Sequence, residues 1–196
     1  ALVGEKMSVI TSKPQTTRHR IIGIVSSEDF QIVFSDTPGF IDEPAYRMHQ
    51  MMNAFISLSF DDADIILFVT DPYEPLSEQH NLLQRIASHN APVLAIINKM
   101  DMVSAEELEA RVNELAALLP GIKIHTVSAL KGNNVQELMG EIVSSLPEGP
   151  EFYPKDQLTD RPERFFVSEI IRGKILELYR DEISYTCEIT IDSFTE

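Results

Sequence analysis

Short apolar runs alternate with amphipathic segments along most of the chain. Runs rich in β-branched residues predict buried strands at 64–69, 93–97 and 122–127. Apolar residues at helical spacing predict helices at 77–90, 104–119 and 135–146, the second of them opened by a capping box of Ser104 and Glu107. Because strands that alternate with helices usually pair side by side, this pattern predicts an α/β fold with a parallel, doubly wound sheet.

Nearer the N-terminus, the pattern changes to two strand-like runs joined by a polar turn. Residues 21–25 and 30–34 are rich in β-branched and aromatic side chains and predict a hairpin. A helix is then expected to start near Pro44. Its apolar positions, which we interpret as packing residues, are Met48, Met51, Met52, Phe55, Ile56 and Phe60.

Prolines and a glycine between residues 147 and 154 interrupt the pattern and predict a domain boundary. We therefore predict a first domain at 1–146, a linker at 147–163 and the start of a second, α+β domain at 164–196. The second domain would hold a helix from Arg164 and a half-buried strand from Tyr185 to Phe194. Since one helix and one strand bury too little for a stable core, we expect this domain to be cut short.

The composition of the chain argues against some classes of binding partner. The chain has 196 residues, with Lys and Arg numbering 16, Asp and Glu numbering 31, and a net charge of −15. This balance argues against broad electrostatic binding to nucleic acid or to anionic membranes. The apolar runs are shorter than a membrane span, so a soluble intracellular protein is expected. Cys187 is the single cysteine, and the histidines show no metal-ligand spacing with it.

The stretch Asn98-Lys99-Met100-Asp101 follows the strand predicted at 93–97, where α/β sheets bind ligands. The Asp101 carboxylate can accept two neighbouring N–H groups, as the Watson–Crick edge of guanine offers them, whereas adenine presents an acceptor there. Asn98 can join base and loop through its amide, and the Lys99 stem can lie on the purine face. The stretch therefore predicts a guanine site, with a solvated helix-entry turn as the alternative interpretation.

Three further loops carry groups suited to phosphate or purine. They are Thr16-Thr17, Asp36-Thr37-Pro38-Gly39 and Ser128-Ala129-Leu130. Asp36 is suited to hold Mg²⁺ through a water, and Thr17 can place a hydroxyl on that ion. Gly39 offers an N–H that a γ-phosphate oxygen can approach, and Ser128-Ala129 can offer a backbone N–H to the guanine oxygen. Each loop alone also fits an ordinary turn, but their order and placement favour a nucleotide site.

This array of motifs resembles that of the translation-factor-related GTPases. Residues 15–20, 36–39 and 159–172 are similar to the Era family of ribosome-assembly GTPases, of the TrmE-Era-EngA group. The resemblance implies a P-loop GTPase domain followed by a type II KH domain, with GTP or GDP and Mg²⁺ as ligands. It also implies a monomer that binds the 3′ end of 16S ribosomal RNA in the 30S subunit. The expected location is the bacterial cytoplasm and, by peripheral association, the inner membrane, with the mitochondrial matrix as the alternative.

The chain departs from the family pattern in two respects. The Gly-rich phosphate loop ending in Gly-Lys-Ser/Thr is missing from the sequence, and so is the KH GxxG loop. In the family these loops would precede Ala1 and follow Glu196, so we expect this chain to be part of a longer protein. Phe40 stands where Ras-like enzymes carry a water-orienting Gln, and an apolar ring cannot orient water. Hydrolysis is therefore expected to be slow and to depend on other groups, a monovalent cation or the ribosomal partner.

Two other functions stay open at this point. One is a nucleotide-independent RNA- or ribosome-binding module that kept the fold without the phosphate loop. Asn98, Lys99 and Asp101 speak against it, because a protein that binds no guanine gains nothing from them. The other is a sister GTPase with a different RNA-binding or membrane-linked tail.

Overall fold

The computed structural model describes residues 1–4, 17, 19–41, 44, 46–76, 80–179 and 187–193. In chain order the elements are β1 (Ile21–Ser26), β2 (Gln31–Asp36), α1 (Arg47–Asp61), β3 (Ile66–Thr70), α2 (His80–Ala87), β4 (Val93–Ile97), α3 (Ala105–Leu118), β5 (Lys123–Thr126), α4 (Val135–Ser145) and α5 (Glu163–Tyr179). The chain divides into two compact units. The first unit comprises Ala1–Leu2, Phe40–Pro44 and Phe60–Pro150, and the second comprises Val3–Gly39, Ala45–Ser59 and Glu151–Glu196.

The first unit is built on a parallel sheet in the order β3-β4-β5. Strand β4 is central because Val93 pairs with Ile66 on one side, while Leu94 pairs with Lys123 on the other. Its last four residues are buried, as expected for an apolar strand covered on both faces. The predicted parallel α/β arrangement is confirmed, with β3 ending one residue later than predicted and β5 one residue earlier.

The helices of the first unit bury the apolar positions that their spacing predicted. Buried side chains include Leu83 and Ile86 of α2, Leu115 and Leu119 at the end of α3, and Leu138 and Ile142 of α4. The predicted capping box is present. The Ser104 hydroxyl accepts the Glu107 N–H at 3.3 Å, and the Glu107 carboxylate accepts the Ser104 N–H at 2.9 Å. Residues 77–79 of the predicted second helix lie outside the described residues.

The strand order does not establish the double winding that was predicted for the sheet. Strands β3, β4 and β5 follow one another in sequence as well as in space. Right-handed crossovers between strands in sequential order place their helices on one face of the sheet. The reversal of strand order that defines a doubly wound sheet is not found among the described strands, so double winding stays a prediction.

The second unit contains the predicted hairpin. Strands β1 and β2 pair antiparallel, with Ile21 opposite Asp36 and Ser26 opposite Gln31. The Ser27 N–H donates to the Phe30 carbonyl at 2.8 Å and closes the turn. Buried Ile21, Ile24 and Ile32 form its apolar face. The hairpin is therefore confirmed, as a sheet separate from the parallel strands of the first unit.

Part of the predicted linker lies along the hairpin. The Ile24 N–H donates to the Leu158 carbonyl at 2.8 Å, and Gly23 forms an antiparallel bridge with Thr159. A Cβ added to Gly23 would lie 3.0 Å from Val3 Cγ2, so the absence of a side chain there permits close packing. Residues 158 and 159 of the predicted linker thus pair with strand β1, and the three predicted domain boundaries stay predictions.

Helices α1 and α5 both form where helices were expected. Helix α1 begins at Arg47 rather than near Pro44, and it buries Met52 and Ile56, whereas Met51 is 56% exposed. Helix α5 begins one residue before the expected Arg164. No described helix is long and apolar enough to cross a membrane.

The strand predicted from Tyr185 to Phe194 is wrong for residues 187–193, to which the structure assigns no strand. Burial there still alternates, with Cys187, Ile189 and Ile191 partly buried between exposed neighbours. A strand is defined by hydrogen bonds to a neighbour, and no described segment supplies them to these residues. The remaining predicted strand residues lie outside the described ranges.

Candidate functional site

The loop after β4 lies across the carboxyl ends of all three parallel strands. The Asn98 N–H donates to the Thr70 carbonyl at the end of β3 at 2.8 Å. The Met100 N–H donates to the Val127 carbonyl just after β5 at 3.1 Å. Carboxyl ends of parallel strands are where α/β sheets bind ligands. The sheet therefore fixes this loop at the position expected for a ligand site.

Lys99 adopts a left-handed backbone conformation, with φ of 62° and ψ of 30°. It is the residue before a 3-10 turn, Met100–Met102, which carries the exposed Asp101. A residue with a side chain in this region costs about 1–3 kcal/mol, and such strain is typical of functional loops. The turn ends at Val103, just before the capped helix α3 begins.

Asn98 fixes a second loop. Its Oδ1 accepts the Ala129 N–H at 3.0 Å. Ser128 is fully buried, and its hydroxyl accepts the Lys131 N–H at 3.1 Å. Gly132, at φ +76°, completes the turn by donating its N–H to the Ser128 carbonyl. The structure thus brings the predicted residues Asn98 and Ser128-Ala129-Leu130 together at one edge of the sheet.

The backbone N–H groups that were predicted to donate to guanine already form hydrogen bonds within the protein. The Ala129 N–H is bonded to Asn98, and the Ser128 N–H donates to the Asn133 carbonyl at 3.1 Å. Leu130 lies on the surface, where its side chain is 86% exposed. Contact of this loop with a guanine oxygen stays a prediction, and for Ala129 it requires the bond to Asn98 to be shared or exchanged.

Sequence reasoning missed Asp71, which contacts the predicted guanine loop. Asp71 directly follows β3, and its Oδ2 accepts the Lys99 ammonium at 2.6 Å. Its Oδ1 accepts the backbone N–H groups of Tyr73 and Glu74 at 2.9 and 3.0 Å. A signal was available, because a carboxylate directly after a buried parallel strand lies at the ligand edge of the sheet.

The charge of Asp71 is stabilised by these contacts. Partial burial raises the pKa of Asp71, but the hydrogen bond from Lys99, the N–H groups of Tyr73 and Glu74, and the Lys99 charge together lower it. The net direction is a pKa below the ordinary value of 3.8. The Asp71 carboxylate is therefore ionised at neutral pH.

The residues predicted on the phosphate side lie in the second unit, except Phe40, which belongs to the first. Asp36 ends β2 and is exposed, Thr37 is half-buried, Pro38 is buried and Gly39 is exposed. Thr17 is half-buried, while Thr16 lies outside the described residues. Their assignment to a nucleotide stays a prediction.

Thr17 and Asp36 offer the donor types that Mg²⁺ prefers, a hydroxyl and a carboxylate oxygen. Within the described residues, no three His, Cys, Asp or Glu side chains gather into a metal-binding group. Magnesium in nucleotide sites is commonly held by one or two protein oxygens together with phosphates and waters, so these two residues fit such an ion.

A family profile described as 50S ribosome-binding GTPase matches residues 1–99, half of the chain. The chain belongs to this GTPase family. The membership agrees with the guanine-loop geometry and confirms the family resemblance inferred from the motifs.

Similar proteins include several named GTPase Era. GTPase Era from Carboxydothermus hydrogenoformans is 37% identical over 192 residues, which cover 97% of this chain and 64% of the relative. GTPase Era from Geotalea uraniireducens is 40% identical over 196 residues, which cover 100% of this chain and 66% of the relative. This chain thus spans slightly less than two thirds of these relatives.

A solved structure shares the fold. The crystal structure of Aquifex aeolicus Era bound to GDP·AlF4⁻ matches with a TM-score of 0.84 at 34% identity, covering 93% of this chain and 62% of that one. The α/β P-loop GTPase fold is thereby confirmed. The KH domain is not tested by these findings and stays a prediction.

Proposed function

We propose that the protein containing this chain binds GTP and GDP and hydrolyses GTP as a molecular switch. The observation that carries the proposal is the guanine loop. Lys99 is held in a strained left-handed conformation and paired with Asp71, and Asn98 is bonded to Ala129. This arrangement leaves Asp101 exposed beside the loops that would flank a purine.

The proposed reaction is in-line attack of water on the γ-phosphate. Thr17 and Asp36 would hold Mg²⁺, Asp36 through a water, and the bound ion would neutralise charge that develops on the phosphates. The Gly39 N–H would donate to a γ-phosphate oxygen. Phe40 offers no hydrogen bond to the attacking water, so hydrolysis is slow until another group, a monovalent cation or the ribosomal partner supplies the missing contact.

Titration of the intact protein with fluorescent GDP tests guanine binding. We expect saturable binding that unlabelled GTP reverses and that ATP at the same concentration leaves unchanged, because Asp101 accepts two N–H groups that adenine lacks. Equal competition by ATP would contradict the guanine assignment. Phosphate release measured with and without ribosomal subunits then tests the proposed dependence on a partner.

We further propose that the intact protein binds the 3′ end of 16S ribosomal RNA and acts in assembly of the 30S subunit. The small-subunit assignment is supported by the resemblance to the Era proteins, whereas the family description names the 50S ribosome and supports ribosome binding in general. Helix α5 would then be the first helix of a type II KH domain. Sedimentation with purified 30S and 50S subunits tests this proposal. Sedimentation with 50S alone would contradict the small-subunit assignment.

For location and assembly state, we propose a monomer in the cytoplasm with peripheral association with the inner membrane. Support comes only from the resemblance to the Era family. Cell fractionation with salt washes tests the location, because a peripheral protein is released by salt, and light scattering of the intact protein tests the mass in solution.

A further inference from the structure

Arg111 is a buried cation on helix α3. Its side chain is 6% exposed, although it occupies a position on the apolar stripe between Leu108 and Leu115. A charge on an apolar stripe is costly unless it is paired, so its partners reveal why it is tolerated. Its Nε is buried without a hydrogen-bond partner among the described residues, which adds to that cost. The position of the guanidinium is therefore held by the contacts of its other nitrogens.

Those contacts converge on the loop that follows β3. Arg111 Nη2 donates to the Thr70 hydroxyl at 3.3 Å, to the Asp71 carbonyl at 3.0 Å and to the Glu74 carbonyl. Arg111 Nη1 donates to the Glu114 carboxylate at 2.9 Å, on the same helix. One nitrogen of Arg111 thus holds both ends of the segment Asp71–Glu74, which we call the support loop.

The support loop in turn holds the guanine loop at two points. The Asp71 carboxylate accepts the Lys99 ammonium at 2.6 Å. The Tyr73 hydroxyl donates to the Met102 carbonyl at 2.9 Å. Lys99 and Met102 bracket the turn that carries Asp101. Movement of the support loop would therefore displace the Lys99 side chain and loosen the turn together.

The main effect of Asp71 is to restrict the position of the Lys99 ammonium. Lys99 remains 51% exposed, so its ion pair with Asp71 adds little to stability. A free lysine side chain, however, loses rotamer entropy when it is immobilised, and this loss opposes binding. Since Asp71 already restricts the ammonium, less of that cost falls on the binding of a purine against the Lys99 stem.

We propose that Arg111 and Asp71 are positioning residues for guanine recognition, which act through Lys99. Arg111 fixes the support loop, Asp71 on that loop fixes the Lys99 ammonium, and the Lys99 stem is thereby held ready for the base. The proposal rests on the proposed guanine-nucleotide binding. Guanine recognition would thus depend on Arg111, a buried residue outside the predicted guanine loop.

The test is GDP dissociation from the intact protein after substitution of either residue. We expect Arg111→Met and Asp71→Asn each to speed dissociation about tenfold. Glu114→Gln is the matched control, because it removes the negative charge of the other partner of Arg111 and leaves the support-loop contacts in place. It should behave as wild type.

A mutant cycle separates positioning from general destabilisation. In a Lys99→Met background, Arg111→Met should accelerate dissociation much less than in the wild-type background, because the part of its effect that passes through Lys99 is already lost and only the Tyr73–Met102 contact is left to loosen. Equal acceleration in both backgrounds would overturn the proposal, as would wild-type dissociation from Arg111→Met. If Arg111→Met fails to fold, the same cycle with Asp71→Asn decides. Failure of the wild-type protein to bind GDP would instead remove the proposed function on which this inference rests.

Discussion

The Gln31 carboxamide forms a closed pair with the backbone of Tyr153. Its Nε2 donates to the Tyr153 carbonyl at 2.8 Å, and its Oε1 accepts the Tyr153 N–H at 2.9 Å. The same Oε1 accepts the Phe152 N–H at 2.8 Å. One side chain at the start of β2 thus fixes a segment that sequence analysis placed in an interdomain linker.

Gln31→Ala should free that segment. We expect amide hydrogen exchange of Phe152 and Tyr153 to speed about fivefold, because loss of hydrogen bonds of this kind costs about 1 kcal/mol of local stability. Hydrogen exchange followed by mass spectrometry measures the effect. Gln136→Ala, an exposed change on α4, is the control and should leave exchange at both amides unaltered. Unchanged exchange in Gln31→Ala would show that other contacts hold the segment.

Asp101→Asn should change base preference. The amide offers a donor where the carboxylate offered only acceptors, so guanine binding should weaken and preference should shift partly toward xanthine, which carries a carbonyl at that edge. Competition titrations with GDP and XDP on the intact protein measure the ratio. Asp156→Asn, at an exposed site of the second unit, is the matched control. A guanine affinity equal to that of wild type would remove Asp101 from the site.

Thr17→Ala should impair Mg²⁺-dependent binding of GTP more than that of GDP. The reason is that a switch hydroxyl on the ion is expected to matter when the γ-phosphate is present. Dissociation constants for both nucleotides, measured with Mg²⁺ and with EDTA, give the comparison. Thr190→Ala, a change at an exposed position, serves as control. Equal losses for the two nucleotides would contradict a switch role for Thr17.

The stabilising effect of Asp71 should disappear in acid. Burial raises the pKa of Asp71, yet the contacts from Lys99 and the backbone lower it below the ordinary value of 3.8. A group with a lowered folded pKa stabilises the protein fully above its unfolded pKa and loses that effect as pH falls through the folded pKa. The free energy of unfolding of wild type should therefore exceed that of Asp71→Asn by a constant amount between about pH 5 and pH 7.

Below about pH 4 that difference should shrink, because Asp71 becomes protonated. Denaturant unfolding at a series of pH values measures it. Glu188→Gln, at an exposed position outside the guanine loop, controls for loss of one carboxylate. A difference that grew in acid would mean that the pKa of Asp71 is raised.

Local patterns predicted most elements of the first unit. The bounds of β4 were predicted without error, and the capping box of α3 formed as expected. Both depend on near neighbours in the chain, since the strand is a run of apolar residues and the cap joins Ser104 to Glu107. The strand expected at 185–194 failed at residues 187–193 because a strand needs a partner that local sequence does not supply.

In the candidate site, too, features that depend on adjacent residues could be predicted, and contacts between distant residues could not. The motif Asn98-Lys99-Met100-Asp101 could be recognised because its side-chain chemistry follows directly from four adjacent residues. Its bond to Ala129, by contrast, joins residues separated by 31 positions. The sequence pattern did not identify Arg111, because its spacing on α3 suits an apolar residue. The signal available was its charge, which is exceptional at such a position.

By itself, the sequence determined the order of strands and helices, the family and the loop chemistry, since each follows from local periodicity or from adjacent side chains. The folded chain, and not the residue pattern, places Asp71 against Lys99 across 28 positions and Gln31 against Tyr153 across 122. Such contacts exist because packed elements bring distant segments to one place. The register and crossing of those elements determine which residues meet. The pattern of residues along the chain does not specify each of these contacts.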